Sequence, residues 1–365
     1  MDLSGYKRIV VKVGSALLVE NGVLRRSWLT RLCGEIADLK ADSADVVLVS
    51  SGAVALGCPV LGLDRSGLSL AQKQAAAAAG QSRLTRAYDD ALGAFDLRSA
   101  QALLTLDDTE DRRRWLNARA ALGTLVDAGV VLVVNENDTV ATAELRYGDN
   151  DRLAARTAQM IGADLLVLLS DIDGLYTADP RSNPDAEHIR RVERLTDDIL
   201  AMGGEANLSR GVGSGGMATK LLAARICMDS GCDMVVCDGQ PDNPLSRLAK
   251  GTRHTLFKSS ADPDSAKAQW IRSSLAPSGQ LVIDDGAEHA LRGGKSLLAA
   301  GLVSCSGRFF KGDTVRVATQ SGKDVAHGLS AYDSHDLPDL CGLRSEEIDH
   351  PYGPVVIHRD NLVLL

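Results

Sequence analysis

Residues 8–16 read RIVVKVGSA and residues 45–53 read DVVLVSSGA. Each is a short β-branched run that stops at small residues and a glycine, which is how a buried strand and the turn after it look in sequence. Between them, Ser27 to Lys40 carries Leu29, Leu32, Cys33, Ile36 and Leu39 at helical spacing. Strand, helix, strand with glycine past both strands is the rhythm of a parallel α/β sheet. Sheets of that kind bind ligands at the carboxyl ends of their strands, which is where Lys12, Gly14, Ser15, Ser51 and Gly52 fall.

The rhythm continues down the chain. VVLVV (130–134) runs into Asn135-Glu136-Asn137-Asp138, LLVLL (165–169) into Ser170-Asp171-Ile172-Asp173-Gly174, and Met234 to Cys237 forms a further strand. Leu70 to Leu92 is an alanine-rich helical stretch with Gly80 and Gln81 as a break, and Asp111 to Asp127 an amphipathic helix. Ser99 to Leu106 reads as a strand and Thr142 to Tyr147 as one arm of a hairpin. That arm delivers Gly148-Asp149-Asn150-Asp151 to a helix over 152–161, and a last short helix spans 244–250. After Phe257 the composition turns small and polar, and beyond Pro277 short alternating strands sit between glycine turns. The expected architecture is an open, mostly parallel sheet sandwiched by helices over residues 1–258. A linker follows over 259–276, then a small mostly-β module over 277–355.

Composition narrows the function. With 45% hydrophobic and 24% charged residues in 365, the chain is ordinary globular material. Its net charge is −8, and the part from Pro277 onward holds 12 acidic against 8 basic residues, a net of −4. That balance opposes broad binding to nucleic acid or to acidic membranes, which need a positive surface. Seven cysteines at irregular spacings imply free thiols in a reducing compartment. The first residues lack a secretory apolar region, and no apolar run reaches membrane-spanning length. A cytoplasmic protein is expected.

Several residues could carry chemistry. Gly211 to Lys220 reads GVGSGGMATK and leads straight into a helical pattern. Glycines let backbone N–H groups approach an anion, and a helix start adds its dipole. The run does not fit Walker A, and glycine-rich loops also serve as plain turns. Lys12 inside an apolar strand is costly unless it meets an anion or lies on an edge strand. Ser51 could face a ligand or cap a helix. Asn135, Asn137, Asp138, Asp149, Asn150 and Asp151 are more acids and amides than turns and caps alone require. Of Asp171 and Asp173, one is expected to be only a turn residue. Five of the seven histidines lie in the tail, without metal-ligand spacing. Two lysines, a glycine loop and no acid–base histidine point toward phosphoryl transfer, which relies on charge neutralisation and in-line positioning. A carboxylate acceptor is already ionised and needs no general base.

The motifs VVKVGSA, SSGAVALG, NENDTVAT, GDND, GLYTADPRSNP and GSGGMATK, in this order over the first 260 residues, resemble the amino acid kinase family. Within it the likeness is greatest to the branch that phosphorylates glutamate for proline synthesis, and the tail is similar to a PUA domain. The resemblance implies transfer of the γ-phosphate of ATP to the γ-carboxylate of L-glutamate. Mg²⁺ would come with the nucleotide rather than to a dedicated protein site. It further implies that Lys12 and Lys220 neutralise the transferring group and that Asp151 orients both. Ser51, Asp138 and Asn150 would bind glutamate. Lys12, Ser170, Asp171, Ser214, Gly215, Gly216, Met217, Ala218, Thr219 and Lys220 would hold ATP. Proline as feedback inhibitor, a homo-oligomer and a separate glutamyl-phosphate reductase downstream are implied as well. Arg152 departs from the family pattern, where a smaller polar residue is usual, so it either touches the substrate site or points to solvent. The competing readings are another carboxylate kinase of the same fold, acting on acetylglutamate or aspartate, and an RNA-binding regulator working through the tail. An inactive scaffold is disfavoured by the presence of both lysines and the acids.

Overall fold

The computed structural model describes residues 1–140, 150–203, 216–260, 277–349 and 353–365. Two compact units divide the chain, one of residues 1–110 and 118–263, the other of 111–117 and 264–365. The first is built on an eight-stranded sheet. In chain order its strands are β1 (Arg8–Val13), β2 (Asp45–Ser50), β3 (Ser99–Leu104), β4 (Val131–Glu136), β5 (Leu165–Ser170), β6 (Arg191–Val192), β7 (Asp233–Asp238) and β8 (His254–Phe257). Their spatial order is β6-β8-β7-β5-β1-β2-β4-β3, and only the β7–β8 pair is antiparallel.

This topology explains the apolar runs. β1 lies between β2 and β5, and Ile9, Val10, Val11 and Val13 are all fully buried, so both faces of the strand are covered. Each such side chain contributes roughly 1.5–3 kcal/mol on burial, and β4, β5 and β7 repeat the pattern. Because β1, β2, β3, β4, β5 and β7 all run in the same direction, the polar residues after β1, β2, β4, β5 and β7 emerge on one edge. Lys12 belongs to a central strand, which removes the edge-strand reading.

Several elements differ from the sequence expectation. The helix Leu70–Gly93 passes through Gly80 without a break. Gly80 is there for contact: a Cβ on it would lie 1.8 Å from the Ala53 carbonyl, and one on Gly57 would lie 1.7 Å from that of Ala76. The short helix Ala53–Gly57 therefore packs backbone to backbone on the long one, and this seats the end of β2. Ser51 is no helix cap, since Gly52 takes the N-cap position at φ +113° with no side-chain cap. A side chain is strained at that φ. β3 stops at Leu104, and a short helix, Leu106–Glu110, takes the residues after it. The helix expected over 152–161 begins at Asn150, which puts the Asp151 carboxylate in its first turn, where the helix dipole favours an anion. The arm at 142–147 lies outside the described residues.

The second unit has a five-stranded sheet in the order Leu302–Gly307, Gly279–Ile283, Thr314–Thr319, Asp324–Leu329, Leu362–Leu364. Its core gathers Leu281, Ile283, Phe309, Val315, Val317, Val325, Tyr332 and Ile357, with one short helix, Asp285–Arg292, capped by the Asp284 side chain. The last strand lies beyond residue 355.

Candidate active site

A cleft of about 1620 Å³ opens at the carboxyl edge of the large sheet, with Lys12 and Lys220 in its lining. That volume accommodates a nucleotide together with a small acceptor. Beneath it lies an ion triad. Lys12 Nζ is 2.6 Å from Asp151 Oδ1, and Lys220 Nζ donates to Asp151 Oδ2 at 3.1 Å. The side chains are 10%, 4% and 1% exposed for Lys12, Lys220 and Asp151. Burial pushes the Asp151 carboxyl up, but the two ammonium groups outweigh it and hold the group down at about 2. Thr219 Oγ1 also stands 3.2 Å from Asp151 Oδ2 and donates to the Gly216 carbonyl at 2.8 Å. Three elements thus meet at one carboxylate: the end of β1, the start of Asn150–Ile161 and the first turn of the helix Met217–Asp229. Two cations and one anion leave a single positive charge facing the cleft, an arrangement suited to a polyanion.

The helix Met217–Asp229 has Gly216 as its N-cap and no side-chain cap, so first-turn N–H groups are left for an anion. Gly216, Met217 and Lys220 line the cleft. Ala218 and Thr219 do not: Ala218 is buried and Thr219 turns toward Asp151. Ser214 and Gly215, with the rest of 211–213, lie outside the described residues, as does Asp149. After β5, Ser170 Oγ donates to Asp171 Oδ1 at 3.1 Å, and both residues line the cleft. Asp173 accepts from Tyr176 OH at 2.7 Å, stands 3.7 Å from Arg253 and also lines the cleft, so neither member of this pair is a turn residue alone.

On the other side are Ser51, Asp138 and Asn150. Asn150 Nδ2 has three acceptors within reach for its two hydrogens: Ser51 Oγ at 2.7 Å, the Ser50 carbonyl at 3.0 Å and Asn135 Oδ1 at 3.2 Å. Burial raises the Asp138 carboxyl to about 6. An arriving ammonium would offset that desolvation. Asn135 lines the cleft and Asn137 does not. Arg152 ion-pairs with Glu110 away from the lining, which resolves its departure from the pattern. Sequence reasoning missed Arg65, Lys73 and Glu136, which also line the cleft. Glu136 is the last residue of β4, and its place at a strand end was the available signal.

Comparison with known proteins agrees with this geometry. Residues 7–238 match the sequence model of the amino acid kinase family. The chain belongs to that family. Residues 279–352 match the PUA domain. This amino acid kinase is 55% identical over 363 residues to the glutamate 5-kinase of Caulobacter vibrioides, covering 98% of this chain and 96% of the relative. It is 52% identical to that of Paramagnetospirillum magneticum, covering 99% of both, and 51% identical to that of Paracoccus denitrificans, covering 99% and 98%. The kinase fold and the tail expected from the motifs are both present. Among the described residues no helix is long and apolar enough to cross a membrane.

Proposed function

We propose that the cleft transfers the γ-phosphoryl group of ATP to the γ-carboxylate of L-glutamate, giving L-glutamyl 5-phosphate and ADP in the first step of proline synthesis. The observation that carries the reading is Asp151 clamped between Lys12 and Lys220 beside a cleft whose far wall holds Ser51, Asp138 and Asn150. A glutamate carboxylate oxygen forms the new bond to the γ-phosphorus while the bond from that phosphorus to the β–γ bridging oxygen breaks. Lys12 and Lys220 neutralise charge on the transferring group and on the departing ADP. Asp151 keeps both ammonium groups aimed without itself meeting the nucleotide. Asp138 receives the α-ammonium of glutamate, and Ser51 and Asn150 hold its polar groups.

Mg²⁺ would arrive with the nucleotide and would add to the neutralisation of its phosphates. Asp171, exposed beside Ser170, offers a hard oxygen of the type Mg²⁺ takes. All seven cysteines are free, in keeping with a reducing, cytoplasmic setting. Near-complete coverage of kinases by this chain favours phosphoryl transfer over an RNA-binding role for the protein as a whole.

The test is hydroxylamine trapping of acyl phosphate from ATP with glutamate, acetylglutamate or aspartate, each with and without proline. Product with glutamate, lowered by proline, is expected. Product with acetylglutamate or aspartate but none with glutamate would overturn the assignment.

A further inference from the structure

Behind the acceptor wall runs a chain of side-chain hydrogen bonds that the mechanism above does not use. Thr85 Oγ1 donates to Gln101 Oε1 at 2.8 Å, and Gln81 Nε2 donates to Thr85 Oγ1 at 3.4 Å. Gln81 Oε1 accepts from Asn135 Nδ2 at 2.8 Å, and Asn135 Oδ1 accepts from Asn150 Nδ2 at 3.2 Å. Directions are set at each step. A threonine hydroxyl has one hydrogen, which goes to Gln101 Oε1 or to the Gln81 backbone carbonyl at 2.9 Å, and in either case its oxygen accepts from the Gln81 amide. That turns Gln81 Oε1 toward Asn135, and Asn135 must then present its own oxygen to Asn150. The Ser50 carbonyl, which can only accept, selects the same face of Asn150 from the other side. The N–H side of Asn150 is therefore engaged inward, while its Oδ1 has no hydrogen-bond partner among the described residues. Such a buried acceptor is costly to leave unmade.

We propose that Gln81 is a positioning residue for the acceptor: through Asn135 it fixes which way round the Asn150 amide sits, with Nδ2 turned to Ser50, Ser51 and Asn135 in the wall that meets the substrate. The proposal rests on the glutamate reading above. Gln81 does not line the cleft, so it acts only through Asn135. Its reach depends on the close crossing at Gly80, the residue before it, where the Leu70–Gly93 backbone meets the Ala53 carbonyl. Without an acceptor at position 81, Asn135 is free to turn its amide over. Its Nδ2 would then oppose Asn150 Nδ2, donor against donor, while the Ser50 carbonyl resists a compensating flip. The acceptor site loosens, and the ion triad is untouched.

The experiment compares Gln81→Glu, Gln81→Met and Gln81→Lys with the parent full-length chain, measuring kcat and the KM values for glutamate and for ATP-Mg²⁺. Glutamate at 81 keeps an acceptor for Asn135, and Thr85 turns its one hydrogen onto the second carboxylate oxygen in place of the lost N–H donor, so Q81E stays within about twofold of the parent in all three. Methionine keeps the length but offers no acceptor, and lysine offers only donors. Both raise the glutamate KM roughly three- to tenfold, the loss of about one hydrogen bond, with the ATP KM unchanged. A Q81M and a Q81K enzyme with the parent's glutamate KM would overturn the proposal. So would equal rises in both KM values across all three variants, which is the signature of general packing damage. Should Q81M fail to fold, Q81K against Q81E gives the same decision. The parent's own acceptor is established first, so a parent that phosphorylates a different carboxylate refutes the glutamate reading, and the variants are then read with that carboxylate.

Discussion

Replacing Asp151 with asparagine tests the centre of the site. Asp151→Asn keeps the shape but removes the anion between two buried ammonium groups. The carboxyl is held at about 2 against an ordinary 3.8. A depression of nearly two units corresponds to about 2–3 kcal/mol at ~1.36 kcal/mol per unit. Since the folded value is the lower one, this contribution is fully present above pH ~4 and is lost as pH falls through about 2. The variant also takes away the carboxylate that the two buried ammonium groups share, and removing one partner of a buried pair costs about 3–5 kcal/mol. We expect hydrogen-exchange protection in β1 and in the helix Asn150–Ile161 to fall by about 3 kcal/mol at pH 7. Exchange reports on these elements directly, which suits a chain of two units better than a single global midpoint. ATP supplies the missing negative charge, so it should restore more protection in the variant than it adds to the parent. Turnover should fall about 10²–10³-fold as the lysines lose their aim. Unchanged protection in the variant, or an equal gain from ATP in both proteins, would refute the argument that Asp151 is the counter-ion of this site.

Lys220→Ala leaves Lys12 and Asp151 as a neutral pair, so the protein should keep its circular dichroism spectrum while kcat drops roughly 10²–10³-fold; near-normal turnover would remove Lys220 from the mechanism. Gly80→Ala places a methyl 1.8 Å from the Ala53 carbonyl and should cost about 1–3 kcal/mol in urea unfolding, with a raised glutamate KM because the end of β2 shifts. A stable variant with the parent's KM would show that the helix crossing does not seat the site. Asp138 must be ionised to attract an ammonium, and its carboxyl sits near 6. The kcat/KM for glutamate should therefore fall about tenfold per pH unit below that value, and Asp138→Asn should abolish this limb. For stability the sign is opposite to that of Asp151. The folded Asp138 binds its proton more tightly than the unfolded one, so its contribution weakens as pH rises from about 4 to 6.

Much of this protein was legible along the chain because the relevant information is local. β-Branched runs that stop at glycine mark strands, leucines at helical spacing mark the helices between them, and the alternation of the two specifies a parallel sheet with its polar ends on one edge. The motifs around Lys12, Ser51, Asp138, Asp151 and Lys220 gave the family and the chemistry. Local pattern failed where the deciding neighbour is remote. Gly80 read as a helix break because a glycine in a helix usually weakens it, and only the facing Ala53 carbonyl shows that any side chain there would collide. Ser51 read equally well as a helix cap until Gly52 was seen to occupy that position. One of Asp171 and Asp173 read as a turn residue alone, yet both line the cleft, and only the second is tied to Tyr176 and Arg253.

By itself, then, the sequence determined most of the strands and helices, that a lysine and an amide cluster stand at strand ends, and that a glycine run leads into a helix. The tertiary structure alone decided how their charges combine. Lys12, Asp151 and Lys220 come from three separate elements, and each would be costly to bury alone. They become compatible with a dry interior only when the sheet and two helix starts bring them within 3.1 Å of one carboxylate. Electrostatic pairing of that kind depends on distance in space, and no spacing along the chain encodes it.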